Sequence, residues 1–264
     1  MQAETTAVFE RPMVIAAARQ PWWRQFRLIL QLQFSEYKDS AAMMVLFSVL
    51  LPVGLMWLMG GYVSDKGAQA TWFLAGNIVV SMAFGCANFV LWRVGQLRLN
   101  KEMDFYAALP TSKSAFLAAL FCIAQIVALP GVLASLVGGH YLLDIPWVLI
   151  AAGLPVLVLA AACFTIVGAV AGAMATSFGR LNLYGNLITF LVMFLSPAMV
   201  PLERLPLVIR LTSYTLPTGQ ATLALAEAFA GRFTTHFWLY AGGLVLWVLV
   251  ATLGGMRKLD WRAD

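Results

Sequence analysis

Charge is what this sequence has least of. Aspartate, glutamate, lysine and arginine make up 11% of its 264 residues, hydrophobic types 61%, and the mean hydropathy is +0.83. Soluble domains carry about 25% charged residues. Six stretches, 41–62, 71–92, 114–138, 147–175, 183–200 and 236–255, carry no charge at all. About 20 apolar residues in a helix cross the roughly 30 Å hydrocarbon core of a bilayer. Backbone polar groups in lipid must be satisfied within the segment, so each stretch is expected to be a helix. Alternating segments of about 10 residues are also missing, which excludes a β-barrel. The expected fold class is an all-α membrane protein with six transmembrane helices.

Other absences narrow the function. The six spans hold no ionisable carboxylate, lysine or arginine, and His236 and His140 are placed at the edge of span six and in an outer loop. Ion-coupled carriers need intramembrane ionisable groups. HExxH, GxSxG and the P-loop GxxxxGK[ST] do not occur, so no catalytic chemistry, metal site or cofactor is expected in this chain. Energy for uphill movement must then come from another subunit. Cys86, Cys122 and Cys163 fall inside spans with no paired spacing and read as small apolar packing residues. No secretory signal is apparent: the first apolar run starts near residue 41, behind a charged, Trp-rich segment.

The charges that exist are unevenly placed. With both termini inside, the inner segments hold 13 cations: Arg11, Arg19, Arg24, Arg27, Lys38, Arg93, Arg98, Lys101, Lys113, Arg180, Arg257, Lys258 and Arg262. The outer segments hold four, Lys66, Arg204, Arg210 and Arg232. This is a positive-inside distribution. It explains the net charge of +5 without nucleic acid.

Four regions stand outside the spans. Residues 1–18 lack a period and read as a flexible N-terminus, and 259–264 as a cytoplasmic tail after a 41–258 membrane domain. Residues 19–40 place Trp23, Phe26, Leu30, Phe34 and Tyr37 at helical spacing opposite Arg24, Arg27, Gln31, Ser35 and Lys38. That pattern predicts an amphipathic helix lying in the membrane interface. Between spans two and three, RLNKEMDFYAALPTSKSAF predicts a short helix over 98–109, with Leu99, Met103 and Tyr106 on one face and Lys101, Glu102 and Asp104 elsewhere. Leu109-Pro110 ends it, and Thr111 or Ser112 is placed to cap span three. Between spans five and six, residues 200–234 are apolar but broken by Pro201, Pro206 and Pro217, with Thr218 as a possible cap and Gly231 as a stop. This reads as a hairpin dipping into the outer leaflet.

Within the spans, Asn77, Ser81, Gly85 and Asn88 share one face of span two. Such a stripe is either helix–helix glue or the lining of a pathway. Gly168 and Gly172 form GxxxG, a close-approach motif, and Phe190, Phe194 and Ser196 are candidates to face a cavity in span five.

Taken in order, these segments resemble a type-2 ABC transporter permease, the integral membrane subunit of an ATP-driven exporter. KEMDFYAALPTSKS is similar to the family's charged segment between spans two and three, and FLSPAMVPLERLP to its span-five ending with paired prolines and an acidic residue, Glu203. The resemblance covers roughly 20–258. Where the family often has Asn-Pro in the outer hairpin, this chain has Leu216-Pro217-Thr218, so the break at Pro217 carries over and the Asn does not.

The resemblance implies a dimer of permeases with two cytoplasmic ABC ATPase subunits that bind ATP and Mg. Leu99, Lys101, Glu102, Met103, Asp104 and Tyr106 would couple to the ATPase. Spans one, two and five would line the path, with Pro201, Glu203, Pro206, Pro217 and Thr218 in an outer gate. A bacterial inner membrane location follows. The uncharged path residues suit an apolar or amphipathic, drug- or lipid-like cargo; export of a polysaccharide or glycolipid, or a non-transporting scaffold, are the alternatives.

Overall fold

In a computed structural model, residues 21–37, 41–60, 67–103, 112–194 and 206–256 are described. Among them the regular structure is helical: α1 (Trp22–Tyr37), α2 (Ala41–Gly60), α3 (Ala68–Met82), a π-helical stretch (Ala83–Asn88), α4 (Phe89–Leu99), α5 (Lys113–Leu143), α6 (Trp147–Ala152), α7 (Leu154–Met174), α8 (Phe178–Phe194), α9 (Leu207–Thr215), α10 (Pro217–Phe229) and α11 (Thr235–Met256). Four continuous helices are long and apolar enough to cross a membrane: Ala68–Leu99, Ser114–Leu143, Leu154–Met174 and Thr235–Gly254. The apolar stretch Ser48–Leu58 of α2 is shorter.

Local chemistry sets the ends. Ser112 caps α5, its side chain accepting from the Ala115 N–H. α5 runs 31 residues, about 46 Å at 1.5 Å per residue, past the expected end at 138. It stops at Asp144, which takes φ 56, and the Ile145 N–H closes back on the Gly139 carbonyl at 3.1 Å. His140 is therefore in the last turn of a helix rather than in a loop. Its ring lies 4.6 Å from that of Trp147, and its Nδ1 donates to the Ile145 carbonyl at 3.0 Å. Gly153 and Pro155 split the expected fourth span into α6 and α7, since proline fits the first turn of a new helix.

The Ala68–Leu99 run is the axis of the fold. It packs against α2, α5, α7, α8 and α10, so Leu74, Ile78, Val79, Leu91 and Val94 have no exposed surface. α11 is peripheral, with Trp238, Leu246 and Leu253 on its open side. The GxxxG pair seats α7 on this axis. A Cβ on Gly168 would lie 2.2 Å from the Ala87 carbonyl oxygen, and one on Gly172 2.5 Å from that of Leu91.

α1 packs on α5. Ile29 and Gln33 are fully buried and Phe26 and Leu30 half-buried, whereas Trp23 and Phe34 are 72% and 51% exposed. The protein-facing ridge is that of Ile29 and Gln33, and Glu36 meets Arg93 of α4. Exposed Leu28 and Leu32 flank the ridge on one side, Trp23 and Phe34 on the other, with Arg24 and Arg27 exposed between them.

α9 and α10 form a hairpin held against α3 and α11. Its turn is tight: a Cβ on Gly219 would lie 2.0 Å from the Ser213 carbonyl oxygen. The carbonyls left at the end of α9 are capped by side chains. Gln220 Nε2 donates to the Tyr214 carbonyl at 2.9 Å, and Trp247 Nε1 to that of Thr215 at 2.7 Å.

Candidate functional site

A cavity of about 690 Å³ lies between α2, the α3–π junction and α5. Leu50, Leu51 and Pro52 line one wall, Ser81, Phe84 and Phe89 the other. Among the described residues no charged side chain lines it. Two irregularities shape it. Pro52 interrupts α2 from inside, because it has no N–H to offer the preceding turn. Opposite, the π-helical stretch inserts an extra residue into the axis, a device frequent at functional sites.

The polar residues expected in span two part company here. Asn77 is buried and points away into packing: its Nδ2 donates to the Pro52 carbonyl at 3.1 Å and to Ser135 Oγ at 3.4 Å. It ties α3 to α2 and α5. Ser81 donates to its own helix, at the Asn77 carbonyl (2.9 Å), and lines the cavity. Asn88, at the end of the π stretch, donates to Thr189 Oγ1 of α8 at 3.1 Å. Asn77→Leu should therefore act on stability, lowering it by about 0.6–2 kcal/mol, the range for interhelical hydrogen bonds in membranes. Thermal unfolding of the purified protein reads this directly; an unchanged melting point contradicts it.

Phe190 and Phe194 stack with centroids 4.9 Å apart on the exposed side of α8. Ser196, Pro201 and Glu203 lie outside the described residues. Pro206 precedes α9 and Pro217 starts α10. Thr218 is not the cap: Leu216 holds that position without a side-chain bond, because Pro217 already supplies the first helical residue, and Thr218 is buried. Gly231 ends the segment with φ +68.

The loop after α4 departs from a single 98–109 helix. Leu99 ends α4 and packs near Leu181. Asn100 caps it and Lys101 takes φ 59, which breaks the helix. Met103 packs instead beside Ile29, Leu97 and Phe116. Leu99 and Met103 thus pack against two different clusters. Asp104 and Tyr106 lie outside the described residues. Arg93, which the sequence reading counted only as a loop cation, lies inside the helix and is 3% exposed.

The signature of the ABC-2 type transporter family matches residues 24–230. Over 191 residues the chain is 25% identical to Nodulation protein J of Rhizobium leguminosarum bv. trifolii, covering 70% of this chain and 71% of that protein. The matched range takes in α1, the cavity, the Arg93 region and the outer hairpin, and on that match the chain belongs to the ABC-2 type transporter family.

Proposed function

We propose that this chain is the permease subunit of an ABC exporter that moves an apolar or amphipathic, drug- or lipid-like cargo out of the cytoplasm. Two copies, or this chain and a paralogue, form the pathway, and separate ATPase subunits bind ATP and Mg. In this reading α2 and α8 join the four long helices as spans one and five. The membrane is the bacterial inner membrane and both termini are cytoplasmic. The observation that carries the cargo class is the cavity beside Ser81 and Phe84, roomy and, among the described residues, lined by no charged side chain. Ligand pockets of this kind are mostly apolar with a few polar groups.

The test is co-expression with a candidate ABC ATPase from the same genome, purification, and reconstitution in lipid vesicles with an NBD-labelled phospholipid as probe. Co-purification with ATP-dependent movement of the probe supports the proposal. An ATPase that neither binds nor responds to the permease overturns it. Orientation has its own test. A cysteine at position 208 should be labelled from outside, and one at position 100 only after permeabilisation; the reverse pattern contradicts the charge argument.

A further inference from the structure

One guanidinium stands where three parts of the chain meet. Arg93 Nη1 donates to Glu36 Oε1 at 2.6 Å and Nη2 to Glu36 Oε2, so a fork holds the last turns of α1. Glu102 Oε2, just beyond the left-handed Lys101, is 4.0 Å from the same Nη1. The Arg93 side chain is 2% exposed, those of Glu36 and Glu102 47% and 41%. The cation is thus fixed inside the protein while two carboxylates reach it from the rim. A planar guanidinium binds a carboxylate bidentately and directionally, which an ammonium does not.

The middle of this seam is apolar, built from Ile29, Val94, Leu97 and Phe116 with Met103 against them, while near the start of α1 the Ser112 N–H donates to Gln25 Oε1 at 2.8 Å and Trp22 Nε1 to Ser114 Oγ at 3.0 Å, both on the α5 side. Apolar contacts have no preferred direction. The fork does, and among the described residues it is the charged contact that ties the last turns of α1 to α4. Gln33 precedes Glu36 by three residues on the same ridge, is fully buried, and its amide makes no hydrogen bond among the described residues. A buried amide without a partner is costly, so a second polar group waits on the line along which α1 would shift.

We infer that Arg93 is a positioning residue that makes the interfacial helix α1 follow the loop after span two, through one guanidinium shared between Glu36 and Glu102. The inference rests on the permease reading, in which closure of the ATPase subunits displaces that loop. A displacement that carries Glu102 changes its hold on Arg93, and the fork passes the change to Glu36 and α1.

Hydrogen exchange in the permease–ATPase complex in lipid nanodiscs tests it, without nucleotide and after trapping with MgATP and vanadate. In the wild type, trapping should change exchange in both 22–37 and 100–112. Glu36→Gln should leave the loop response intact and cut the α1 response about fivefold or more, the lower end of typical coupling. Glu102→Gln leaves the fork in place and should cut the α1 response without raising α1 exchange in the resting state. Arg93→Lys keeps the charge, loses the fork, and should behave as Glu36→Gln. A purely structural role predicts α1 exchange raised equally in both states, with the difference preserved; that result overturns the inference, as does a wild-type loop that responds while α1 does not. A wild-type complex in which neither segment responds overturns the permease reading and this inference with it.

Discussion

Gly168→Leu should prevent accumulation of the folded protein, while Gly242→Leu should leave it unaffected. Both glycines lie in membrane-spanning helices, yet their surroundings differ completely. A Cβ at 168 would meet the Ala87 carbonyl oxygen at 2.2 Å and its Cα and carbonyl carbon at 2.9 Å, all backbone atoms of the central helix. They cannot swing aside as a side chain would. α7 would have to withdraw and open the seam at Gly172 and Leu91 as well. Overpacking of this kind costs about 1–3 kcal/mol, occasionally more, in proteins with only about 5–15 kcal/mol of stability. At Gly242 nothing lies within 4 Å of the added carbon, and the change should stay within about 0.5 kcal/mol. Size-exclusion profiles and melting curves of the two variants make the comparison; a monodisperse Gly168→Leu protein would refute the packing argument.

Ser81→Leu should lower ATP-dependent movement of the NBD-phospholipid about tenfold, a barrier change of about 1.4 kcal/mol, with little change in melting point. The hydroxyl bonds only its own helix, at the Asn77 carbonyl, and such back-bonding contributes little to stability. What the substitution adds is an apolar side chain on the wall of the cavity opposite Pro52. Transport at the wild-type rate, measured beside an unchanged melting curve, rules the cavity out as the path. A fall in melting point with transport preserved would assign Ser81 to packing alone.

Much of the architecture is legible in the uncharged runs. Lipid leaves a helix as the only way to satisfy an isolated backbone segment, so apolar length alone predicts structure type. Ends are less legible, because they depend on single residues. Ser112 announces the start of α5, but nothing apolar distinguishes 138 from Leu143, where the helix actually ends. The GxxxG pair was readable because glycine has one packing use there. The span-two stripe was not, since identical spacing placed Asn77 in a three-helix contact and Ser81 on a cavity wall. The π-helical stretch has no sequence pattern of its own. In α1 the aromatic stripe is the stronger signal by composition, and Trp23 and Phe34 stay exposed while Ile29 and Gln33 are buried against the protein. Periodicity reports hydrophobicity, not the ion pair that exposed Glu36 makes with a partner 57 positions away in the chain, Arg93.

The side-chain caps at the tip of the α9–α10 hairpin have a consequence for where that turn can sit. Trp247 lies twelve residues into α11 from Thr235, about 18 Å along its axis. A chain reversal leaves the last carbonyls of a helix without partners in that helix. Here the Trp247 indole and the Gln220 amide satisfy two of them from within the chain, so the turn keeps its shape without drawing on its surroundings for those bonds.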